Sequence, residues 1–187
     1  INDDLSFEHL MISYDKNKLY ILKKNIQRQK GCTITNNKTY IHEARKNNYV
    51  VCQELLTNPF TVDGHKINLR QYLFVTIIRK KISFKLFNDG FIYYTPKKYN
   101  ENSIDKDRHI TTGYIDRKIY DKNPMTVKEL KHKIGNNSTI ILENNLKGLF
   151  RYVASIYSKI LLEYDSNQHL NFVIFGCDIA IGSNLDC

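Results

Sequence analysis

The sequence predicts an α+β fold, in which antiparallel strands pack with a few helices. Short apolar stretches separated by turn signals recur through the first half of the chain, a pattern typical of strands that pair with their sequence neighbours. Two stretches in the second half carry apolar residues at helical spacing instead. Strands that follow one another with few helices between them favour an antiparallel sheet.

The predicted strands are apolar or alternating stretches that end at polar residues. They cover residues 19–22, 32–35, 49–53, 68–78, 80–87, 91–95, 171–175 and 178–181. Turn signals stand at Asn58-Pro59 and Asp63-Gly64. Asn88-Asp89-Gly90 predicts a hairpin between the strands at 80–87 and 91–95.

Helices are predicted mainly near the end of the chain. Thr126 is suited to cap a helix that runs to about residue 134, and Gly135-Asn136-Asn137 is expected to end it. Residues 146–164 carry one apolar stripe at 3.6-residue spacing. A shorter helix is predicted at 40–46, and the polar segment 96–108 is expected to be a mobile loop.

Charge and composition limit the function classes. Lys and Arg outnumber Asp and Glu by 28 − 19, a net charge of +9 that favours an acidic partner. Frequent Lys, Asn and Ile are equally compatible with an AT-rich genome. No apolar run approaches the ~20 residues of a membrane span, and no secretory signal is expected. The four cysteines show no zinc-ligand spacing, so we expect reduced, buried thiols and a cytoplasmic location.

Three local features indicate chemistry, each with a structural alternative. Strand alternation places Lys66, Asn68 and Arg70 on one face, which suits a phosphate-bearing ligand. Lys23, at a strand end before an amide-rich loop, either holds a phosphate or is simply solvated. Asp178 lies in an apolar run and needs a partner, either a metal or a cation in a structural salt bridge.

Five segments in order resemble the tubulin–tyrosine ligase family, an ATP-grasp family. The resemblance covers residues 19–186, and the segments are YILKKNIQRQKGCTIT (20–35), YVVCQELLTNPFTVDGHKINLRQYLFVT (49–76), FNDGFIYYTPKKY (87–99), HITTGY (109–114) and FGCDIAI (175–181). It implies a single partial ATP-grasp-like domain over 1–187. It also implies a ligase that uses ATP and Mg²⁺ to join an amino acid to a protein.

The resemblance assigns roles residue by residue. Nucleotide binding is expected from Lys23, Gln53, Glu54, Leu55, Leu56, Lys66, Asn68, His109, Thr111 and Thr112. Lys66 and Arg70 are the expected catalytic cations, and Asp178 is the expected magnesium ligand. Tyr93 lies at the amino-acid-binding position. Because the loop after Lys23 is one residue short, Lys24 is an alternative phosphate ligand.

Several positions depart from the family pattern. Asn68 replaces an Asp, Tyr93 an Arg, Thr112 an Asn and Leu55 an aromatic residue. The second magnesium carboxylate of the family, in a Glu-x-Asn pair, is expected after Cys187. We therefore expect a fragment that is nearly inactive alone.

Three functions remain open. The first is an ATP-dependent ligase that forms an acylphosphate and adds a free amino acid to an acidic protein tail such as that of tubulin. Such a ligase is expected in the cytoplasm, where it would associate with the cytoskeleton. The second is a divergent or catalytically dead nucleotide-binding relative, which the departures favour; an acidic peptide with Mg-ATP separates the two. The third is a basic nucleic-acid-binding module, which steep salt dependence would support. Against it, aromatic residues at strand spacing are expected in the core rather than as stacking platforms: Tyr72, Phe74, Phe84, Phe87 and Phe91.

Overall fold

A computed structural model describes residues 4–26, 29–111, 116–163 and 171–187, and it confirms the α+β class. The chain divides into two compact units. The first comprises Ile1–Asn58, Gly64–Lys66 and Thr95–Asp116, and the second comprises Pro59–Asp63, Ile67–Tyr94 and Arg117–Cys187. The candidate site residues fall into both units.

The first unit is built on a three-stranded antiparallel sheet. Its strands are β1 (Tyr20–Lys24), β2 (Cys32–Thr35) and β3 (Tyr49–Glu54), whose bounds agree with the predicted strands within a few residues. They lie in the order β2-β1-β3. Side chains alternate between two apolar faces. Leu22 packs on one face with Ile41 and Tyr49, and Ile21 packs on the other with Ile34 and Leu55.

Two helices belong to this unit. Helix α1 (Asp4–Ile12) was not predicted. Helix α2 (Lys38–His42) begins earlier and ends earlier than the predicted 40–46, so those bounds were wrong. The early start follows from Asn37, whose side-chain oxygen accepts a hydrogen bond of 3.0 Å from the Tyr40 N–H and so caps the helix.

The loop at 96–108 contains a short 3₁₀ turn at Lys106–Arg108. Lys97 Nζ lies 2.9 Å from Asp105 Oδ2, and Arg108 donates 2.9 Å to the Lys98 carbonyl oxygen. The mobility of this loop remains a prediction.

The second unit is built around strand β5 (His65–Ile78), whose first two residues belong to the first unit. It pairs antiparallel with β6 (Lys81–Tyr94) along one edge, and with β4 (Thr61–Val62) and β7 (Asn171–Ala180) along the other. Alternate β5 residues are buried: Ile67, Leu69, Leu73, Val75 and Ile77. Of these, Ile67 and Leu69 were the ones predicted in the core.

The predicted hairpin at Asn88-Asp89-Gly90 was wrong. Strand β6 runs through these residues, and Gly90 pairs with Gln71 beside a shift in register. The turn lies instead at Arg79 and Lys80, which both adopt positive φ, 48° and 62°. Two consecutive left-handed residues form the turn that suits a tight hairpin, but Arg and Lys give no signal for it.

The predicted break in the last strand was also wrong. Strand β7 is continuous, and Gly176 and Cys177 pair with Tyr72 and Gln71 of β5. Gly176 allows close packing of the Arg70 side chain rather than a turn.

Helix α3 (Val127–Glu163) joins both predicted helices across a kink at Gly135, where φ is 79° and ψ is 170°. Thr126 caps its start as predicted, accepting 3.2 Å from the Glu129 N–H. The second helical part begins well before residue 146, so the predicted start was wrong. No helix among the described ranges has the length and apolarity to cross a membrane.

Burial differs from expectation at some aromatic and cysteine positions. Phe74, Phe87 and Phe91 are exposed rather than in the core, because the described chain leaves their sides of the strands uncovered. All four cysteines are free, but Cys187 is exposed and the others are half-buried, so the expectation of buried thiols was wrong.

Candidate functional site

Lys66 is a buried cation in the first unit, with only 6% of its surface exposed. Burial, together with the positive charge of Lys23, lowers its pKa from 10.5 to about 8, and burial is the larger cause. Within the described part of the chain, no carboxylate forms an ion pair with Lys66. A buried charge without a counter-charge is costly, so this position is suited to an anionic ligand.

Lys23 lies close enough to Lys66 for its charge to affect the pKa of Lys66, and we call these two residues the Lys23–Lys66 cluster. Lys24 does not belong to it. The Lys23 ammonium donates 3.1 Å to Gln53 Oε1, which brings together two of the predicted nucleotide-binding residues. The Lys24 ammonium instead lies 4.9 Å from the centroid of the Tyr49 ring. Consecutive strand residues point to opposite faces, so the geometry favours Lys23 over Lys24 as the partner of Lys66.

Residues 53–56 span the end of strand β3 and the start of the following segment. Within the described chain, one backbone N–H in this range is free to bind a ligand. The Leu55 N–H donates 2.8 Å to the Leu19 carbonyl oxygen, while Glu54 pairs with Lys18 at 2.9 Å. The Leu56 N–H has no partner among the residues that the structure describes. Leu55 packs in the apolar cluster with Ile21 and Ile34, so this segment offers an apolar surface beside a backbone donor.

His109 and Thr111 are both buried in the first unit. His109 Nε2 lies 2.5 Å from the Ser103 carbonyl oxygen and therefore carries a proton, whereas the buried Nδ1 has no partner in the described chain. Burial lowers the pKa of His109, and the charge of Lys66 adds to this effect. A neutral ring protonated at Nε2 presents Nδ1 as an unused acceptor. Thr112 lies outside the described residues.

In the second unit, Arg70 and Asp178 form a bidentate ion pair between β5 and β7. Arg70 Nε lies 2.6 Å from Oδ1 and Nη2 lies 2.9 Å from Oδ2. The hydrogen bonds to Asp178 raise the pKa of Arg70. A Cβ atom on Gly176 would lie 2.9 Å from Arg70 Nη1, so the missing side chain makes room for the guanidinium.

Tyr93 and Asn68 lie beside this pair. The Arg70 guanidinium carbon is 5.5 Å from the centroid of the Tyr93 ring, a cation–π contact. Asn68 pairs with Tyr93 on β6 and with Ala180 on β7, and its buried Oδ1 has no partner among the described residues. The second unit thus collects four predicted site residues into what we call the Arg70 cluster: Asn68, Arg70, Tyr93 and Asp178.

The described residues do not fit a magnesium site. Nowhere in the described ranges do three His, Cys, Asp or Glu side chains gather. Asp178, the predicted ligand, has both carboxylate oxygens bonded to Arg70. Magnesium prefers several oxygen ligands including water, and one carboxylate held by a cation is a poor donor.

Sequence reasoning missed some features of these clusters. The Gly176 position has meaning only once β7 is paired with β5, so the sequence carried no signal for it. The burial of Lys66 was also missed, because Lys66 precedes the predicted strand at 68–78.

Antiparallel sheets with few helices, an ordered set of family motifs and a buried lysine that has no counter-charge among the described residues are consistent with a partial ATP-grasp-like domain. The model of the tubulin-tyrosine ligase family matches residues 3–187, and the chain belongs to that family.

Two curated relatives carry the same printed name. The human "Tubulin polyglutamylase TTLL6" is 26% identical over 91% of this chain and 21% of its own length. The mouse "Tubulin polyglutamylase TTLL6" is 31% identical over 48% of this chain and 11% of its own length. The chain therefore spans about a fifth or less of the curated relatives that it matches.

Proposed function

We propose that this chain is part of an ATP-dependent ligase that adds an amino acid to an acidic protein tail of the tubulin type. The observation that carries the proposal is the burial of Lys66 beside Lys23 with no carboxylate partner in the described chain. Because an anion would neutralise both cations, the cluster suits the phosphates of a nucleotide.

The first unit supplies the nucleotide contacts in this proposal. Lys23 and Lys66 hold phosphate oxygens, and the unpartnered Leu56 N–H is available to an acceptor nitrogen of adenine. Leu55 offers an apolar side to the base. The unused Nδ1 of neutral His109 accepts a hydrogen bond from the ligand. Together these groups match ATP more closely than a simple phosphate.

The proposed reaction transfers the terminal phosphoryl group of ATP to a carboxylate. The carboxylate oxygen bonds to phosphorus, ADP leaves, and the amine of the second substrate then attacks the acyl carbon and displaces phosphate. Lysines contribute by neutralising charge that develops on the phosphoryl oxygens. Arg70 in the second unit is held by Asp178, so its charge is already neutralised by a carboxylate.

The partners follow from the relatives and from the charge. The relatives are named for tubulin, and the net charge of +9 suits an acidic tail. We propose tubulin as the protein substrate, a free amino acid as the second substrate, and the cytoplasm with its cytoskeleton as the location.

A second candidate function is nucleotide binding without ligation. It is favoured by the Arg70–Asp178 pair, which occupies both the expected catalytic arginine and the expected metal ligand. Tyr93 in place of the amino-acid-binding arginine points the same way.

The test is an incorporation assay with the longest natural form of the protein. Labelled glutamate, glycine or tyrosine is offered with Mg-ATP and a tubulin-tail peptide, and Lys66→Met is compared with Lys16→Met at an exposed position. ATP-dependent incorporation that only Lys66→Met abolishes supports the ligase. ATP binding by the wild type without incorporation supports the second candidate. A wild type that neither binds ATP nor incorporates an amino acid contradicts both proposals.

A further inference from the structure

A cationic cavity lies in the first unit, where β1 ends and β3 begins. Its volume is about 490 Å³, and its wall includes Lys24, Arg45, Asn48 and Tyr49. Among the described residues that line it, none is an acid. The wall therefore carries two cations, Lys24 and Arg45, and two side-chain amides, those of Asn25 and Asn48.

The position of Lys24 is set by an irregularity in the sheet. The pairing moves from Lys23 with Val51 to Lys24 with Tyr49, so Val50 bulges out of β3. The Lys24 ammonium lies 4.9 Å from the centroid of the Tyr49 ring. That ring is buried, and its hydroxyl lies 2.6 Å from Thr33 Oγ1. The ammonium thus sits on a fixed aromatic surface.

The opposite wall is a tight turn. Asn48 has a φ of 62°, its N–H donates 3.0 Å to the Arg45 carbonyl oxygen, and the Tyr49 N–H donates 3.0 Å to Ala44. The Asn48 side chain is exposed and bonds to no group in the described part of the chain. It is therefore available as a hydrogen-bond donor to a ligand in the cavity.

The cavity is separate from the Lys23–Lys66 cluster. Lys23 points to Gln53, on the face that carries Ile21, whereas Lys24 continues the face of Tyr20 and Leu22. Because strand residues alternate, a ligand held by Lys24 contacts the other side of this sheet. The family resemblance gave Lys24 only as an alternative to Lys23, so this pocket has no assigned role.

We propose that this cavity is an oxyanion-binding site that takes a phosphate or carboxylate group of a larger ligand. A charge-assisted hydrogen bond from Lys24 holds the anion, the Asn48 amide supplies a neutral donor, and the positive charge of Arg45 in the wall adds to the attraction. The ring of Tyr49 holds the ammonium in place before the ligand arrives, which lowers the entropy lost on binding. The proposal does not depend on nucleotide binding at Lys66.

The test is an NMR titration of the whole chain with inorganic phosphate and, separately, with a hexaglutamate peptide. Amide signals of Lys24 and Asn48 report the cavity. Lys24→Gln is compared with Lys46→Gln, which removes the same charge from an exposed residue outside the cavity. We expect Lys24→Gln to weaken binding about tenfold or more, while Lys46→Gln and Lys66→Met leave it nearly unchanged.

The two probes distinguish the source of the anion. Shifts with phosphate alone assign a phosphate group, shifts with hexaglutamate alone assign carboxylates, and shifts with both assign a general oxyanion site. The proposal is overturned if neither probe moves these amides, if Lys24→Gln and Lys46→Gln weaken binding equally, or if Lys66→Met abolishes the shifts. The amide spectrum of each variant shows whether it remains folded.

Discussion

Arg70 and Asp178 face each other across β5 and β7, with two hydrogen bonds of 2.6 Å and 2.9 Å between them. Their side chains are 28% and 47% exposed, so solvent weakens the attraction. A double-mutant cycle with Arg70→Gln and Asp178→Asn, measured by urea denaturation, should give a favourable coupling energy of about 0.5–1 kcal/mol. Strictly additive effects would show that the pair has no influence on folding stability.

Gly176→Ala is expected to disturb the same pair from a neighbouring position. The added Cβ would lie 2.9 Å from Arg70 Nη1 and would force the guanidinium to move. The variant should lower the free energy of unfolding in the wild type, and by clearly less in the Arg70→Gln background, where the obstacle is absent. Equal losses in both backgrounds would mean that the glycine serves the backbone rather than Arg70.

Lys66→Met is expected to stabilise the protein at neutral pH. The folded pKa, about 8, lies below the ordinary 10.5, so the folded state resists protonation of this lysine. This penalty is fully present below about pH 8 and disappears above 10.5. The gain in the free energy of unfolding is expected to reach up to about 3 kcal/mol at neutral pH and to fade as the pH rises.

Chemical denaturation across this pH range measures the effect, with the exposed Lys16→Met as the matched control. If Lys66→Met destabilises the protein at neutral pH, Lys66 contributes to folding and is not a charge held for a ligand.

Two glycines of helix α3 should respond to alanine in opposite directions. Gly135 has φ 79° and ψ 170°, a conformation that side chains rarely adopt, so Gly135→Ala should cost about 1–3 kcal/mol. Gly148 lies in the regular helix with open space around it, so Gly148→Ala should stabilise by about 0.5–1 kcal/mol. Thermal unfolding compares the two, and a stabilising Gly135→Ala would refute the kink.

The sequence predicted those parts of the fold that local patterns control. The strands β1 to β3, the alternation of β5 and the Thr126 cap followed from apolar spacing and from one capping residue. The predictions were wrong where pairing between distant strands decides the structure. Gly90 and Gly176 look like turn residues, but one lies at a register shift and the other makes room for Arg70.

The candidate site was predicted as a set of residues but not as an arrangement. The resemblance gave Lys23, Lys66, Arg70 and Asp178 by type and order. It did not indicate that Arg70 and Asp178 neutralise each other, nor that Lys66 is buried without a counter-charge in the described chain. Both depend on side-chain packing across strands. The apolar run around Asp178 indicated that its carboxylate needs a metal or a cation as partner, and the structure supplies the cation, but the run did not indicate which residue it would be.

Calorimetry of ATP binding as the pH rises through about 8 tests most directly whether Lys66 holds the phosphates of ATP. We expect affinity to fall with rising pH in the wild type as Lys66 loses its proton, to stay nearly level in Lys66→Arg, which keeps its charge, and to be lost in Lys66→Met. ATP binding that is unchanged in Lys66→Met would contradict the assignment of Lys66 as the phosphate-binding residue.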